Sequence, residues 1–334
     1  MTVASHNSIT PWKLGIFVAA VACAFAPLFL HNDYLMQVFF RIALFAALGL
    51  AWNLVGGYAG QLSLGHVAFF GVGAYGLTLF TQASIPMWIS VVLAALVATL
   101  FATIIGRLAF RLRGPYFTLA TIAFAEVLRL TATNLEITGG AIGLSTPSLF
   151  TGPLFWKLFY VSAVVLALLA FAVNFWVSRS RFGYYLMAIR EDEDTASTVG
   201  IDTAQVKVLS LVMSAFLTAL AGALYASAFQ FIIPESMLAL DISVQIAIIT
   251  MLGGAGTLIG PIIGAVLLLT ASEVFKNQFK ESHLLIYGVL IVLVVLFLPE
   301  GIVGGMRRLF RKQPKPPAVA PAPPPQPAPS EVRA

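Results

Sequence analysis

The chain has 334 residues, of which 59% are hydrophobic and 10% charged, and its mean hydropathy is +0.93. Soluble domains run about 45–50% apolar and about 25% charged, so an ordinary water-soluble fold is excluded. The net charge of +5 is no sign of nucleic-acid binding, because the basic residues cluster at the ends of apolar runs, where Lys and Arg set membrane orientation.

A bilayer core takes about 20 apolar residues per helix. Apolar runs fall at 14–30, 35–55, 62–81, 87–106, 116–133, 154–177, 208–229, 242–252, 258–271 and 284–298. The first has Lys13 before it and Ala24-Phe25-Ala26 near its end, as in a signal peptide. Pro27 and further runs follow at once, so it reads as an uncleaved first transmembrane helix. It holds Cys23, the single cysteine, so no internal disulfide forms and no Cys/His spacing suggests a metal site. Arg107, Arg111 and Arg113 follow the fourth run, Arg179 and Arg181 the sixth, and Arg307, Arg308, Arg311 and Lys312 the last. Placing all three clusters inside makes both termini cytoplasmic.

The eighth and ninth runs are short. Eleven helical residues rise only about 16 Å, roughly half the hydrocarbon thickness. Gly253-Gly254-Ala255-Gly256-Thr257 separates the two, and Gly260-Pro261 follows. This predicts a broken, re-entrant hairpin that enters and returns to one side. The fold class expected is therefore an all-α polytopic membrane protein with about eight full transmembrane helices plus that hairpin. Gly56-Gly57-Tyr58-Ala59-Gly60 echoes the glycine break, which makes an internal repeat a candidate. The domain plan is a short cytoplasmic N-terminus (1–13), a membrane domain (14–306) and a tail (307–334). The tail is proline-rich and reads as extended and disordered.

Within the runs, the groups able to carry chemistry are Arg41, His66, Glu126 and Arg129. Glu126 and Arg129 share a helix face at i,i+3, and an intramembrane ionisable pair points to function because it is costly to leave in lipid. His66 lies among small residues and suits either a packed core histidine or a pathway residue. The Thr138–Gly143 stretch is glycine-rich and reads as an outer loop or a carboxylate-binding turn. No GxxxxGK[ST] occurs, so the chain carries no Walker loop.

The longest polar stretch, 178–207, holds Arg179, Arg181, Arg190, Glu191, Asp192, Glu193, Asp194, Asp202 and Lys207. Asp192 to Gly200 predicts a short helix, with acidic residues in the first turn and a glycine to end it. So short a helix is not stable alone, and docking would be its natural support.

LVGGYAGQLSLGHVAFFGVGAY, RLRGPYFTLATIAFAEVLRL, TGGAIGLS and MLGGAGTLIGPIIGA together resemble the LivM-type permeases of branched-chain amino acid ABC importers. The likeness runs from about residue 35 to 305. It implies a bacterial inner-membrane permease paired with a LivH-type permease, two ABC ATPase subunits and a periplasmic binding protein that delivers an amino acid. It also implies no cofactor on this chain, with ATP and Mg bound by the partner subunits. The family's EAA-x-x-x-G coupling pattern falls on Asp194, Thr195, Ala196 and Gly200, with Asp for Glu and Thr for the first Ala. Glu191, Asp192, Asp194, Ala196 and Gly200 are thus the expected ATPase contacts. Gly56, Gly57, Gly60, Ser63, His66, Thr118, Thr121, Glu126, Gly253, Gly254 and Gly256 are the expected pathway residues.

The expected function is that of a permease subunit with no enzymatic activity of its own. A urea or amide permease of the same type is the near alternative. An ion-coupled secondary transporter, using Glu126, is the alternative from another class.

Overall fold

The computed structural model describes residues 26–29, 32–279, 288 and 301–310. The expected runs at 14–30 and 284–298 lie almost wholly outside these residues, as do Cys23 and the tail beyond 310.

Two helices form the centre. Helix α1 (Asp33–Trp52) starts where the Asn32 side chain accepts from the Tyr34 and Leu35 amides. Leu44 to Trp52 are buried without interruption, and a helix buried on all sides belongs in the middle of a bundle. The helix then widens into a π turn, Asn53–Tyr58, over the Gly56-Gly57 pair. Such turns are rare and occur often at functional sites. After it come α2 (His66–Gln82), α3 (Met87–Ala109), α4 (Pro115–Asn134) and α5 (Phe155–Arg179).

The second central helix, α8 (Thr203–Phe229), packs against α1, α2, α3 and α5. Small residues set its closest approach. A methyl added to Gly73 would lie 2.0 Å from the Ala219 carbonyl oxygen, and one added to Gly222 2.0 Å from that of Phe70. Ala94, Ala98, Ala102 and Gly106 form a buried i,i+4 stripe on α3. Hydrocarbon offers little drive for burying apolar side chains, so contact through small residues holds such helices together.

Two further helices, α6 (Arg181–Glu191) and α7 (Glu193–Thr198), lie between α5 and α8. A two-residue antiparallel pairing, β1 (Leu144–Ser145) with β2 (Phe231–Ile232), closes the opposite end of the bundle. A single turn, α9 (Pro234–Met237), leads into α10 (Leu240–Gly253) and α11 (Gly260–Phe279), and α12 (Gly301–Phe310) follows. Among the described residues, five helical stretches are long and apolar enough to cross a membrane: Asp33–Tyr58, Met87–Ala109, Phe155–Arg179, Thr203–Phe229 and Pro234–Gly253. The chain is an all-α, multi-pass membrane protein.

The paired arms differ from the half-length hairpin expected. With the α9 turn, the first arm runs 20 residues from Pro234 to Gly253. The second is a 20-residue helix, Gly260–Phe279, which rises about 30 Å. Hydropathy ended the arms early because Asp241, Glu273 and Lys276 lie near their far ends, where helices continue past the apolar stretch.

The α2–α8 contact gives a direct check. Gly222→Val should lower stability by roughly 1–3 kcal/mol, the range for an overpacked interior. The readout is the thermal unfolding midpoint in detergent, and an unchanged midpoint would mean that the interface has slack.

Candidate functional site

The two glycine breaks, far apart in sequence, meet at one end of the bundle. The Asn53 carboxamide joins them. Its Oδ1 accepts from the Gly256 amide at 2.8 Å, and its Nδ2 donates to the Thr257 carbonyl at 3.1 Å. The same Nδ2 donates to Asn174 Oδ1 at 3.1 Å. Asn174 in turn donates to the Leu50 and Ala170 carbonyls, both at 2.8 Å. Both asparagines are fully buried. A methyl on Gly57 would lie 1.9 Å from Asn53 Oδ1 and 2.6 Å from the Gly256 nitrogen, so only glycine fits this crossing. Gly256 also has φ +79°, a conformation side chains rarely adopt.

Arg190, near the end of α6, closes this junction from the water side. Its Nη1 donates to the Gly57 carbonyl at 2.7 Å, and the same nitrogen lies 2.6 Å from where a methyl on Gly256 would sit. The Gly57 carbonyl falls in the last turn of a helix, where carbonyls lack intrahelical donors and a cation is favoured. Gly60 lies against the Arg190 side chain as well.

The polar segment is built around α7. Asp192 caps the helix, accepting from the Thr195 amide at 2.5 Å. That hydrogen bond, with help from the Thr195 hydroxyl and from Arg113, holds the Asp192 carboxyl below the usual carboxylate range. Gly200 ends the segment at φ +89°. Two ion pairs pin α7 to the bundle. Asp194 meets Arg113 at 2.8 Å on the exposed surface. Glu193 meets Lys207 at 2.5 Å, and Lys207, only 1% exposed, also lies over the Phe110 ring. The expected coupling residues therefore divide by position: Ala196 faces the bundle, while Glu191, Asp192 and Gly200 are exposed and Asp194 holds Arg113.

The expected pathway residues do not form one lining. Ser63 and His66 are buried, and the His66 nitrogens meet Ser63 Oγ at 3.1 Å and Ser214 Oγ at 2.8 Å. Thr118 donates to the Leu62 carbonyl and Thr121 accepts from the Leu64 amide, so both tie α4 to the chain before α2. Gly56 packs under the Trp52 ring, while Gly253 and Gly254 pack against Gly260 at the second break. The amides of Gly139, Gly140 and Gly143 donate to carbonyls of their own loop.

Glu126 and Arg129 stand apart from this packing. Helix α4 buries only Phe117, Thr121, Ala125 and Ala132. Away from that narrow stripe, Arg129 grips Glu126 through two hydrogen bonds, from Nε at 2.9 Å and from Nη2 at 2.5 Å. The Glu126 side chain is 49% exposed and that of Arg129 27%.

Sequence reasoning missed Asn53, Asn174 and the Glu193–Lys207 pair. A signal existed for the asparagines, since an amide inside an apolar run is itself costly to leave unpaired. The pairing of Lys207 with Glu193 crosses from one helix to another and has no local signature.

Two outcomes are expected. Asn53→Leu strands the Gly256 amide and the Thr257 carbonyl, at a cost of about 1–3 kcal/mol for each group that stays buried, and should lower the unfolding midpoint accordingly. Asp192 has a depressed carboxyl pKa, so its cap contributes fully above the ordinary aspartate range and is lost as pH falls through the lower folded value. Protection of the Thr195 amide, its exchange relative to the intrinsic rate at the same pH, should accordingly be present at neutral pH and be lost in strong acid. Asp192→Ala should remove that protection at neutral pH and match wild type in strong acid, while Asp192→Asn, itself a good cap, should keep it at neutral pH.

Comparison with known proteins agrees with this architecture. The family described as "Branched-chain amino acid transport system / permease component" matches residues 34–295. The chain is 31% identical over 288 residues to the high-affinity branched-chain amino acid transport system permease protein LivM of Salmonella typhimurium, covering 78% of this chain and 67% of that one. It is 30% identical over 315 residues to LivM of Escherichia coli, with 85% and 73% covered. It is also 26% identical over 301 residues to the permease protein LivH of Escherichia coli, with 81% and 96% covered. No solved structure matches. The chain belongs to the permease-component family of branched-chain amino acid transport systems.

Proposed function

We propose that this chain is the LivM-type permease subunit of an ATP-binding cassette importer, forming half of an inner-membrane pathway for branched-chain or other hydrophobic amino acids. A LivH-type permease supplies the other half, two ABC ATPases dock on the cytoplasmic side of the pair and act on this chain through Glu191–Gly200, and a periplasmic binding protein delivers substrate. ATP and Mg are bound by the ATPases; this chain catalyses no covalent step and moves with theirs.

The observation that carries the reading is α7. A helix of six residues, capped by Asp192 and pinned by Glu193 and Asp194, is presented at the bundle end where the basic residues gather. Arg113 pairs with Asp194 there, Arg190 lies near the end of the adjoining α6, and Lys and Arg favour the cytoplasmic side. With that end inside, the described helices α1–α5, α8, α10 and α11 alternate across the membrane in order. The apolar sequence runs at 14–30 and 284–298, which lie almost wholly outside the described residues, keep both termini cytoplasmic if each adds one crossing. The glycine breaks then lie at the cytoplasmic end of the pathway rather than at mid-depth.

The Glu126–Arg129 pair supports the second half of the reading. An ion pair directed at lipid is costly, so the exposed face of α4 looks onto the partner permease or a wet path between the two. The secondary-transporter reading needs Glu126 as a free proton or ion carrier, and the bidentate hold of Arg129 argues against that. A urea or amide substrate differs from an amino acid in lacking the carboxylate, which the binding protein would discriminate.

Two measurements test this. In a Cys23→Ser background, cysteines at Val199 and Ile259 should react with impermeant reagent only from the cytoplasm, and cysteines at Ile142 and Phe231 only from outside; all four sites are exposed. Labelling of Ile259→Cys from outside would restore the re-entrant hairpin. The chain purified gently from its native membrane should bring down a second permease and two ATPases, and vesicles holding all four should take up leucine only with ATP and binding protein. Uptake by this chain alone without ATP would overturn the proposal. Glu126→Gln should lower uptake about tenfold if the pair lines the path, since a charge-assisted hydrogen bond is lost.

A further inference from the structure

We propose that Arg190 is the positioning residue through which movement of the polar segment reaches both glycine breaks, so that its loss separates ATP hydrolysis from transport while leaving the importer assembled. This rests on the permease reading above.

Arg190 lies three positions before the first residue of α7, on the adjoining α6. Helix α6 is fixed to the body by buried Gly183, Leu186 and Ile189, and a methyl on Gly183 would lie 1.9 Å from the Val177 carbonyl. A force on α7 therefore acts on a short, stiff element with Arg190 at its end. From there the path is direct. The guanidinium holds the Gly57 carbonyl at 2.7 Å and lies against Gly256, and Asn53 fastens Gly256 to the first break. The π turn at Asn53–Tyr58 continues α1, and the second break joins α10 to α11. One side chain thus touches the hinge points of three helices.

Its chemistry suits that task. Arg carries a rigid, permanently charged fork, whereas Lys is a point charge on a flexible stem. Arg190 is exposed overall, with its guanidinium part-buried against the junction. Replacement by Met, a side chain of similar length, therefore removes the link while keeping most of the contact area. The other two attachments of α7, through Arg113 and Lys207, reach the ends of α3 and α8 rather than the breaks.

The test uses the complete importer, with partner permease, ATPases and binding protein, reconstituted in vesicles. Leucine uptake and phosphate release are measured together for wild type, Arg190→Met, Arg190→Lys and Arg181→Met, the last removing a charge from the far end of the same helix. For Arg190→Met, subunit composition and phosphate release should match wild type within about twofold. Leucine moved per ATP should fall about tenfold, the factor set by one charge-assisted hydrogen bond. Arg190→Lys should recover part of that ratio, and Arg181→Met should leave it unchanged. The proposal is overturned if Arg190→Met keeps the wild-type ratio, if it sheds the ATPases so that Arg190 only docks them, or if Arg181→Met lowers the ratio equally. A wild-type assembly that never contains ATPases would instead remove the permease reading itself.

Discussion

One carboxamide fixes the arrangement at the end of this bundle. Broken backbone inside a membrane protein is stable only where its amides and carbonyls find partners in protein or in a wet cavity. Asn53 supplies both a donor and an acceptor to the second glycine break from within the first. Its own orientation is set by Asn174, which is itself anchored to carbonyls of α1 and α5. What Asn53 does for the second break, Arg190 does for the first, from the neighbouring polar segment. Four helices and the surface segment are therefore tied through a handful of hydrogen bonds, among them those to the Gly57 carbonyl, the Gly256 amide and the Thr257 carbonyl at the two breaks.

The surrounding bundle allows this by close packing of small side chains. Gly73 and Gly222 bring α2 and α8 to backbone contact, and an alanine stripe does the same for α3. Helix α4 is held differently, by a narrow stripe and by the Thr118 and Thr121 hydroxyls. Its remaining face carries an ion pair that a lipid surface would not favour. The firmly packed helices thus converge on the glycine junction, while the loosely held one presents charge, a division that suits a subunit completed by partners.

Much of the fold was legible in the sequence. Apolar runs gave the helices at 35–55, 87–106, 116–133 and 154–177 to within a few residues, because hydrocarbon imposes length and composition directly. The short helix before Gly200 was legible too, since capping is a local effect of Asp192 and its neighbours. Helix α6 was hidden by its sparse inward face: only Gly183, Leu186 and Ile189 are fully buried, too few to stand out between the charged residues at its ends. The arms around the second break were read too short for a related reason, as charged residues near a helix end look like its boundary. The likeness of the two glycine stretches was visible, but their contact was not. It depends on Asn53 and Asn174, uncharged residues whose partners lie on other helices, and no spacing within one segment encodes that.

The central claim is that the polar segment and both glycine breaks form one mechanical unit. Cryo-electron microscopy of the assembled importer, trapped without nucleotide and with ATP bound, tests it most directly. Displacement of α7 should carry the Asn53 π turn and the Gly253–Thr257 turn with it, with Arg190 still within hydrogen-bond reach of the Gly57 carbonyl in both states. A structure in which α7 moves while the two breaks stay in place, with that contact broken, would contradict the account.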